Sequence, residues 1–255
     1  MPNRDSTSIG GRNEGFETTH WTEIVRAREA DGTARDRAVA SILGQYWKPV
    51  YCYLRRKGYG NEKAKDLTQG FFCDIVLERK LIERADREKG KFRTFLLTAL
   101  NHYAISLSRA ERAEKRMPRN GLIALDGADS AVPEPRDDTT PQEAFQCAWA
   151  ASLLGDVLKE LEAGCRADGL AKHWEVFHAT VVQPILDGEK SPPLRRLCGR
   201  FGIESETKAY NMSVTVKRRF QAGLARRVRR YVNSDSEVQE EIREMMAALA
   251  KRPRA

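Results

Sequence analysis

Apolar residues recur every three or four positions along most of this 255-residue chain, which is the period of helices with one buried face. The stretch KDLTQGFFCDIVLERK (65–80) shows the pattern, because Leu67, Phe71 and Ile75 form an apolar stripe. The same period predicts helices at 16–25, 35–57, 61–79, 91–116, 142–164, 170–187 and 235–250. Since no segment shows the alternation of a half-buried strand, the predicted fold is all-α.

The apolar period is interrupted twice, and the interruptions divide the chain. Residues 1–15 are polar and glycine-rich and are predicted to be disordered. Residues 117–141 contain four prolines and no sustained period, which is typical of a flexible linker. We therefore predict two helical domains, at 16–116 and 142–232, followed by a C-terminal helical extension at 233–255.

The C-terminal extension contains an amphipathic helix. Its apolar face consists of Val238, Ile242, Met245 and Leu249. We expect this face to pack against the second domain, and a regulatory role for the extension is the alternative.

The second domain ends in a helix–turn–helix pattern. After SPP (191–193), a short helix leads to Gly202, which is expected to end it in the left-handed conformation, and Ser205 can cap the longer helix that follows. The apolar face of the longer helix consists of Ala209, Met212, Val216, Phe220, Leu224 and Val228. The opposite face carries groups that suit the recognition of DNA base edges, namely Thr207, Asn211, Val214 and Arg218. An ordinary helical hairpin with a basic surface is the alternative.

Charge is distributed unevenly along the chain, whose net charge is +8. Residues 84–119 hold ten Lys/Arg and four Asp/Glu, and residues 195–230 hold eleven and two. Between these two basic blocks, residues 126–143 hold six acids and one arginine. Such concentrated blocks favour a polyanionic partner. The first block offers polar and cationic groups for phosphates and unpaired bases: Lys91, Arg93, Asn101, His102, Ser106, Arg109, Arg112, Lys115 and Arg116.

Few residues suggest other chemistry. The five cysteines have no paired spacing and are expected to be reduced thiols in a cytoplasmic protein. No apolar run reaches the roughly 20 residues of a membrane span. Asp66 and Asp74 on one helix would be about 12 Å apart, which is too far to share a metal ion. We expect no metal site, no cofactor, no small-molecule substrate and no catalytic residue, and therefore no enzyme.

Several segments of the chain resemble one known family. GYGNEKAKDLTQGFFCDIV, followed by GKFRTFLLTALNHYAISLSRAERAEKR, closely resembles region 2 of the extracytoplasmic-function (ECF) sigma factors of bacterial RNA polymerase. LCGRFGIESETKAYNMSVTVKRRF resembles their region 4, and TTHWTEIV and YWKPVYCYLRRKGY resemble the N-terminal helices of one subgroup. The resemblance covers about 16–232, and the DLTQ-x-FF motif is its most specific part.

This resemblance implies a sigma factor, which binds core RNA polymerase, recognises promoter DNA and helps to open it for transcription initiation. Core polymerase would dock on Asp66, Leu67, Gln69, Gly70, Cys73 and Asp74. The polar and cationic residues of the first basic block would capture the melted strand of the upstream-of-start promoter element. The distal promoter element would be contacted by Thr207, Lys208, Asn211, Val214, Lys217, Arg218 and Arg219. The acidic linker would pass through the polymerase cleft; the alternative is an exposed tether that its acids keep solvated and extended. An anti-sigma factor would be a further partner.

Gly70 needs an explanation, because a glycine inside a helix costs about 1 kcal/mol relative to alanine. Two interpretations are open. Many members of the family have a glutamate here, and the glycine would allow a closer approach of the polymerase. Alternatively, Gly70 accommodates a neighbouring helix of the same domain.

A second function is compatible with the same pattern. In a stand-alone helix–turn–helix transcriptional regulator, residues 35–116 would form a ligand-sensing or dimerisation domain. Such a regulator would bind its operator without polymerase, whereas a sigma factor should bind duplex DNA poorly on its own.

Overall fold

The structure is a computed structural model that describes residues 20–78, 81–116, 139–187, 189–232 and 234–250. Every regular element in these ranges is helical and none is a strand, which confirms the predicted all-α fold. The predicted disordered N-terminus and residues 117–138 of the predicted linker lie outside the described residues.

The described helices follow the predicted order closely. The first half contains α1 (His20–Glu29), α2 (Gly32–Arg56), α3 (Asn61–Gly70) and α4 (Phe92–Arg116). A π-helical segment (Phe71–Glu78) continues α3, and two 3₁₀ turns (Ile82–Arg84 and Arg87–Lys89) precede α4. The second half contains α5 (Pro141–Ala167), α6 (Ala171–Phe177), α7 (Gln183–Asp187), α8 (Leu194–Phe201), α9 (Glu206–Arg229) and α10 (Val238–Ala250). A second π-helical segment (His178–Val182) joins α6 to α7, and a 3₁₀ turn (Asp235–Glu237) precedes α10.

Local sequence signals fix the start of α5. The Thr140 hydroxyl accepts a hydrogen bond from the backbone N–H of Glu143 at 3.2 Å, and the Glu143 carboxylate accepts one from the backbone N–H of Thr140 at 2.8 Å. This reciprocal pair is a capping box, which satisfies two of the backbone donors that a helix start leaves unpaired. Pro141 takes the first helical position, where a missing N–H is harmless.

The largest hydrophobic core contains side chains from both halves of the chain. Helix α2 packs against α5. At their contact, the fully buried ring of Tyr46 lies 5.6 Å from the ring of Phe92 in α4 and 6.3 Å from the ring of Phe145 in α5. Helices of the two predicted domains therefore share a core in this conformation.

The second half also has two smaller cores of its own. One joins α6 to α9 through Val176, Ala209 and Met212 and includes Ile203 of the turn; Leu194, Cys198 and Phe201 of α8 pack against it. The other contains Cys165, Trp174, Phe177, Val182 and Val216. The first part of the helix–turn–helix is thus packed without the first half of the chain, whereas Leu224 and Val228, later in α9, belong to the largest core.

The shared core predicts that a cavity in α5 will loosen α2. Phe145→Ala should cost about 3–5 kcal/mol of stability. It should also raise amide hydrogen exchange in α2 as well as in α5, because the two helices support one another. Hydrogen-exchange mass spectrometry measures this directly.

Val176→Ala is the matched control, because Val176 is equally buried but belongs to the core of α6, α8 and α9. It should raise exchange in those helices and leave α2 protected. Normal protection of α2 in the Phe145→Ala protein would contradict a shared core.

Candidate functional site

Helix α3 and the π-helical segment that follows it present an exposed, partly acidic surface. Its exposed members, here called the acidic face, are Asp66, Gln69, Cys73 and Asp74. Leu67, which the resemblance placed among the contact residues, is only 7% exposed and packs in the core. Phe71 is also buried, which confirms the predicted apolar stripe at Leu67 and Phe71, and so is Phe72; the side chain of Ile75 lies outside the described residues. The exposed polar groups therefore lie on a helix whose opposite face packs in the core.

Gly70 makes room for a side chain of α4. A Cβ atom built on Gly70 would lie 2.9 Å from the Tyr103 hydroxyl oxygen, which is closer than a real Cβ comes to a neighbour. The Tyr103 ring packs against Phe71 with 5.5 Å between ring centroids. Burial, followed by the nearby Asp74 carboxylate, raises the pKa of the Tyr103 hydroxyl. The interpretation of Gly70 as a site of helix packing within the chain accounts for this contact.

An exposed tryptophan lies beside the acidic face and was not singled out from the sequence. Trp47 of α2 is 41% exposed, and its ring stacks on that of Phe72 at 5.9 Å and 17°. The available signal was its position next to Tyr46, off the buried stripe of α2. This aromatic surface extends the acidic face with an apolar edge, a combination that is frequent in protein interfaces.

Helix α4 divides the predicted promoter-binding residues into different environments. His102, Ser106 and Arg109 are exposed on its surface. The Asn101 side-chain carbonyl is half-buried and accepts a hydrogen bond from the Tyr53 hydroxyl at 3.0 Å. The buried stripe contains Phe92, Leu96 and Leu100, with Phe95, Tyr103 and Leu107 packed against the same core. The side chains of Arg112, Lys115 and Arg116 lie outside the described part of the chain.

Lys91 and Arg93 do not face open solvent, unlike the exposed residues of α4. Arg93 is only 8% exposed, and its guanidinium lies over the Trp149 ring, 4.3 Å from the centroid. Both cations form ion pairs with Glu241 and Glu244 of α10. In this conformation, these two predicted nucleic-acid contacts are therefore occupied by carboxylates of the same chain.

Helices α8 and α9 form the predicted helix–turn–helix with the predicted local chemistry. Gly202 ends α8 in the left-handed conformation, with φ of +62°. The Ser205 hydroxyl caps α9 by accepting a hydrogen bond from the backbone N–H of Lys208 at 3.2 Å. The predicted apolar face is buried at Ala209, Met212, Val216, Leu224 and Val228, and Phe220 is half-buried. The opposite face of α9 is therefore directed outward.

That outward face contains the predicted distal-element residues. Thr207, Lys208, Asn211, Lys217, Arg218 and Arg219 are exposed, and Val214 is half-buried. Lys208 pairs with Glu204 at 3.0 Å, and Arg219 pairs with Asp168 at 2.5 Å. Both are surface ion pairs, which contribute little and exchange readily for other anions.

A polar groove runs along the start of this face. It is lined by His173, Ser205, Thr207, Lys208, Asn211, Met212 and Thr215. Because it includes the first turn of α9, the positive end of the helix dipole faces an anion placed there. His173 of α6 was not assigned to this face from the sequence. Burial, followed by the Arg219 charge, lowers the pKa of His173, which favours the neutral imidazole.

The described residues contain no group of three or more His, Cys, Asp or Glu side chains placed to hold a metal ion. Among the described helices, none combines the length and the apolar character that a bilayer crossing requires. Comparison of the chain with protein-family models, with curated proteins and with solved structures finds no match.

The contact at Gly70 gives a double-mutant test. Gly70→Ala should stabilise a Tyr103→Phe protein by about 0.5–1 kcal/mol, because alanine favours the helix and the interfering hydroxyl is absent. In the wild-type background the gain should be smaller or reversed, since the tyrosine must shift. Urea denaturation of the four proteins measures the difference. Equal effects of Gly70→Ala in both backgrounds would rule out the contact.

Proposed function

We propose that this protein is a sigma factor of the ECF type, which binds core RNA polymerase, recognises promoter DNA and helps to open it. The observation that carries the proposal is the outward face of α9, where Thr207, Asn211 and Arg218 stand opposite a buried apolar stripe. The cap at Ser205 and the turn at Gly202 hold this helix as a recognition helix requires. The exposed acidic face on the DLTQ motif supports the same assignment.

The acidic face would be the docking surface for core polymerase. Asp66 and Asp74 would attract a basic helical partner, and Gln69 would add a hydrogen-bonding group. The exposed ring of Trp47, stacked on Phe72, would supply apolar contact beside these charges. Leu67 would act from behind, by anchoring α3 in the core.

Promoter recognition would be divided between α9 and α4. In the major groove of the distal element, Asn211 and Arg218 would form hydrogen bonds with base edges, and Lys217 would contact phosphate. At the upstream-of-start element, His102, Ser106 and Arg109 would contact the melted strand. Unstacking of bases costs a few kcal/mol per step, and these contacts would offset that cost. The catalytic chemistry would belong to the polymerase, so the chain would need no cofactor and no catalytic residue.

The predicted two-domain organisation is part of this proposal. The two helical domains would be joined by the acidic linker, whose charge suits a cleft built for a polyanion. The described conformation, with α2 packed on α5, would then be a closed state of the unbound protein. The protein would act in the cytoplasm, where its polymerase and promoter partners are, and an anti-sigma factor would be a further partner.

One observation favours the stand-alone regulator. The largest core includes helices from both halves, as expected of a single folded unit that presents one helix–turn–helix. This alternative differs in a simple way, because such a protein would bind a specific duplex without polymerase.

The docking surface can be tested by charge reversal. Asp66→Arg and Gln69→Arg should each weaken binding to core polymerase at least tenfold, because a cation would face a basic partner. Both positions are exposed, so the fold should be unaffected. Asp36→Arg makes the same charge change at an exposed site of α2 outside the acidic face. If all three proteins are retained equally on immobilised core enzyme, the acidic face is not the docking surface.

The orientation of α9 can be tested by comparing promoters. Asn211→Ala and Arg218→Ala should each lose on the order of 1–3 kcal/mol of discrimination at particular base pairs. Lys217→Ala, at the edge of the outward face of α9, should weaken all promoters to a similar degree. Transcription from a library of single-base promoter variants separates the two effects. Sequence-independent losses in all three proteins would contradict the assigned orientation.

A further inference from the structure

The C-terminal segment at 234–250 places acids against both basic blocks. Glu241 and Glu244 of α10 pair with Lys91 and Arg93 at the start of α4. Asp235, just before α10, pairs with Arg229 at the end of α9. One short segment therefore neutralises cations in both of the regions that the sequence marks for a polyanion.

The contact between α10 and the first basic block consists of short, partly buried ion pairs. The Lys91 Nζ atom lies 2.5 Å from Glu241 and 2.8 Å from Glu244, and the Arg93 Nη2 atom lies 3.0 Å from Glu244. The Glu241 side chain has no solvent exposure. Glu241 lies three residues after Val238 and four before Met245, both buried, so it occupies the apolar face of α10 itself. A carboxylate in that position requires a cationic partner, and two are present: Arg93 in the first turn of α4 and Lys91 just before it.

Stability alone does not explain this cluster. Burial lowers the pKa of Arg93, because a buried guanidinium is poorly solvated. The Arg93 Nε atom and the Trp149 Nε1 atom are buried and have no hydrogen-bond partner in the described structure. Buried ion pairs are often no more stabilising than apolar side chains of similar volume, and buried donors without partners carry a cost. Such a cluster is poised to exchange partners.

We propose that α10 is an autoinhibitory helix, whose Glu241 and Glu244 hold Lys91 and Arg93 until nucleic-acid phosphates replace them. The inference rests on the proposed function only in taking the first basic block as a nucleic-acid surface. The two glutamates supply the anionic oxygens that phosphates would otherwise supply to the same two cations. Release of α10 would also free Arg229 from Asp235, so that both basic blocks would become available together.

Carboxamide substitutions test the competition directly. Glu241→Gln with Glu244→Gln should increase affinity for a short single-stranded oligonucleotide, measured by fluorescence anisotropy without polymerase. The slope of log affinity against log salt should keep its wild-type value, because α10 is displaced in both complexes and the same phosphates are contacted. Glu240→Gln is the matched control, because Glu240 is an exposed residue of the same helix that pairs with Arg243. It should leave affinity and slope unchanged.

Adding Lys91→Gln and Arg93→Gln to the double variant should remove the gain in affinity and reduce the slope by about 1.4, at roughly 0.7 per lost phosphate contact on a single strand. Circular dichroism and thermal melting verify that each protein is folded. If the folded double variant binds with wild-type affinity, the proposal is overturned.

A second measurement uses the wild-type protein and so does not depend on how the variants fold. Amide hydrogen exchange in 238–250 should rise when the oligonucleotide is bound. Displacement of α10 would remove Val238 and Met245 from the core, and the helix would lose its protection. Full protection of α10 in the bound protein would show a purely structural helix and overturn the proposal. The oligonucleotide-binding and hydrogen-exchange assays contain no polymerase, so they test α10 alone. Failure of the wild-type chain to bind core polymerase would instead refute the proposed function.

Discussion

The packing of α5 against α2 is the constraint on which the rest of the structure depends. Phe145 enters the core beside Tyr46, and Trp149, one turn later on the same face of α5, is also buried. Trp149 then contacts the Arg93 guanidinium on one side and the Tyr231 ring, perpendicular at 5.4 Å, on the other. The side chain of Gln45 in α2 donates a hydrogen bond to the Tyr231 hydroxyl. The contact between α2 and α5 thus positions the start of α4, the end of α9 and the surface against which α10 packs.

This packing gives the two basic blocks different states. On α9, the outward face is exposed, and its ion pairs are surface pairs that a phosphate can replace at little cost. At the start of α4, Lys91 and Arg93 form ion pairs with Glu241 and Glu244, and the Arg93 guanidinium lies over the ring of the buried Trp149. Further along α4, His102 and Arg109 are exposed again. The nucleic-acid surface in our proposal is therefore partly open and partly covered by the chain itself.

Features with local causes could be predicted from the sequence. The left-handed Gly202, the cap at Ser205 and the buried stripe of α9 depend on residues within a few positions of one another, and all three were confirmed. The capping box of Thr140 and Glu143 was equally local, and it places the start of α5 one residue before the predicted start.

Features with distant causes could not be predicted in the same way. The role of Gly70 depends on Tyr103 of another helix, and no periodicity connects the two. Lys91 and Arg93 were assigned to a solvent-facing nucleic-acid surface, because their partners lie about 150 residues further along the chain. The sequence did contain a signal for those partners. Glu241 is a charged residue inside the apolar stripe of α10, and a buried carboxylate needs a cationic partner. The sequence pattern identified the helix, and only the packing identified what its glutamates contact.

Reconstituted transcription tests the central claim of this account most directly. The purified chain would be added to bacterial core RNA polymerase, and run-off transcripts would be measured on a library of genomic promoters. We predict discrete transcripts that appear only when both the chain and the core enzyme are present, from promoters that share two spaced elements. Specific binding of the chain alone to a duplex operator, with no transcript from any promoter in the presence of core enzyme, would contradict the account.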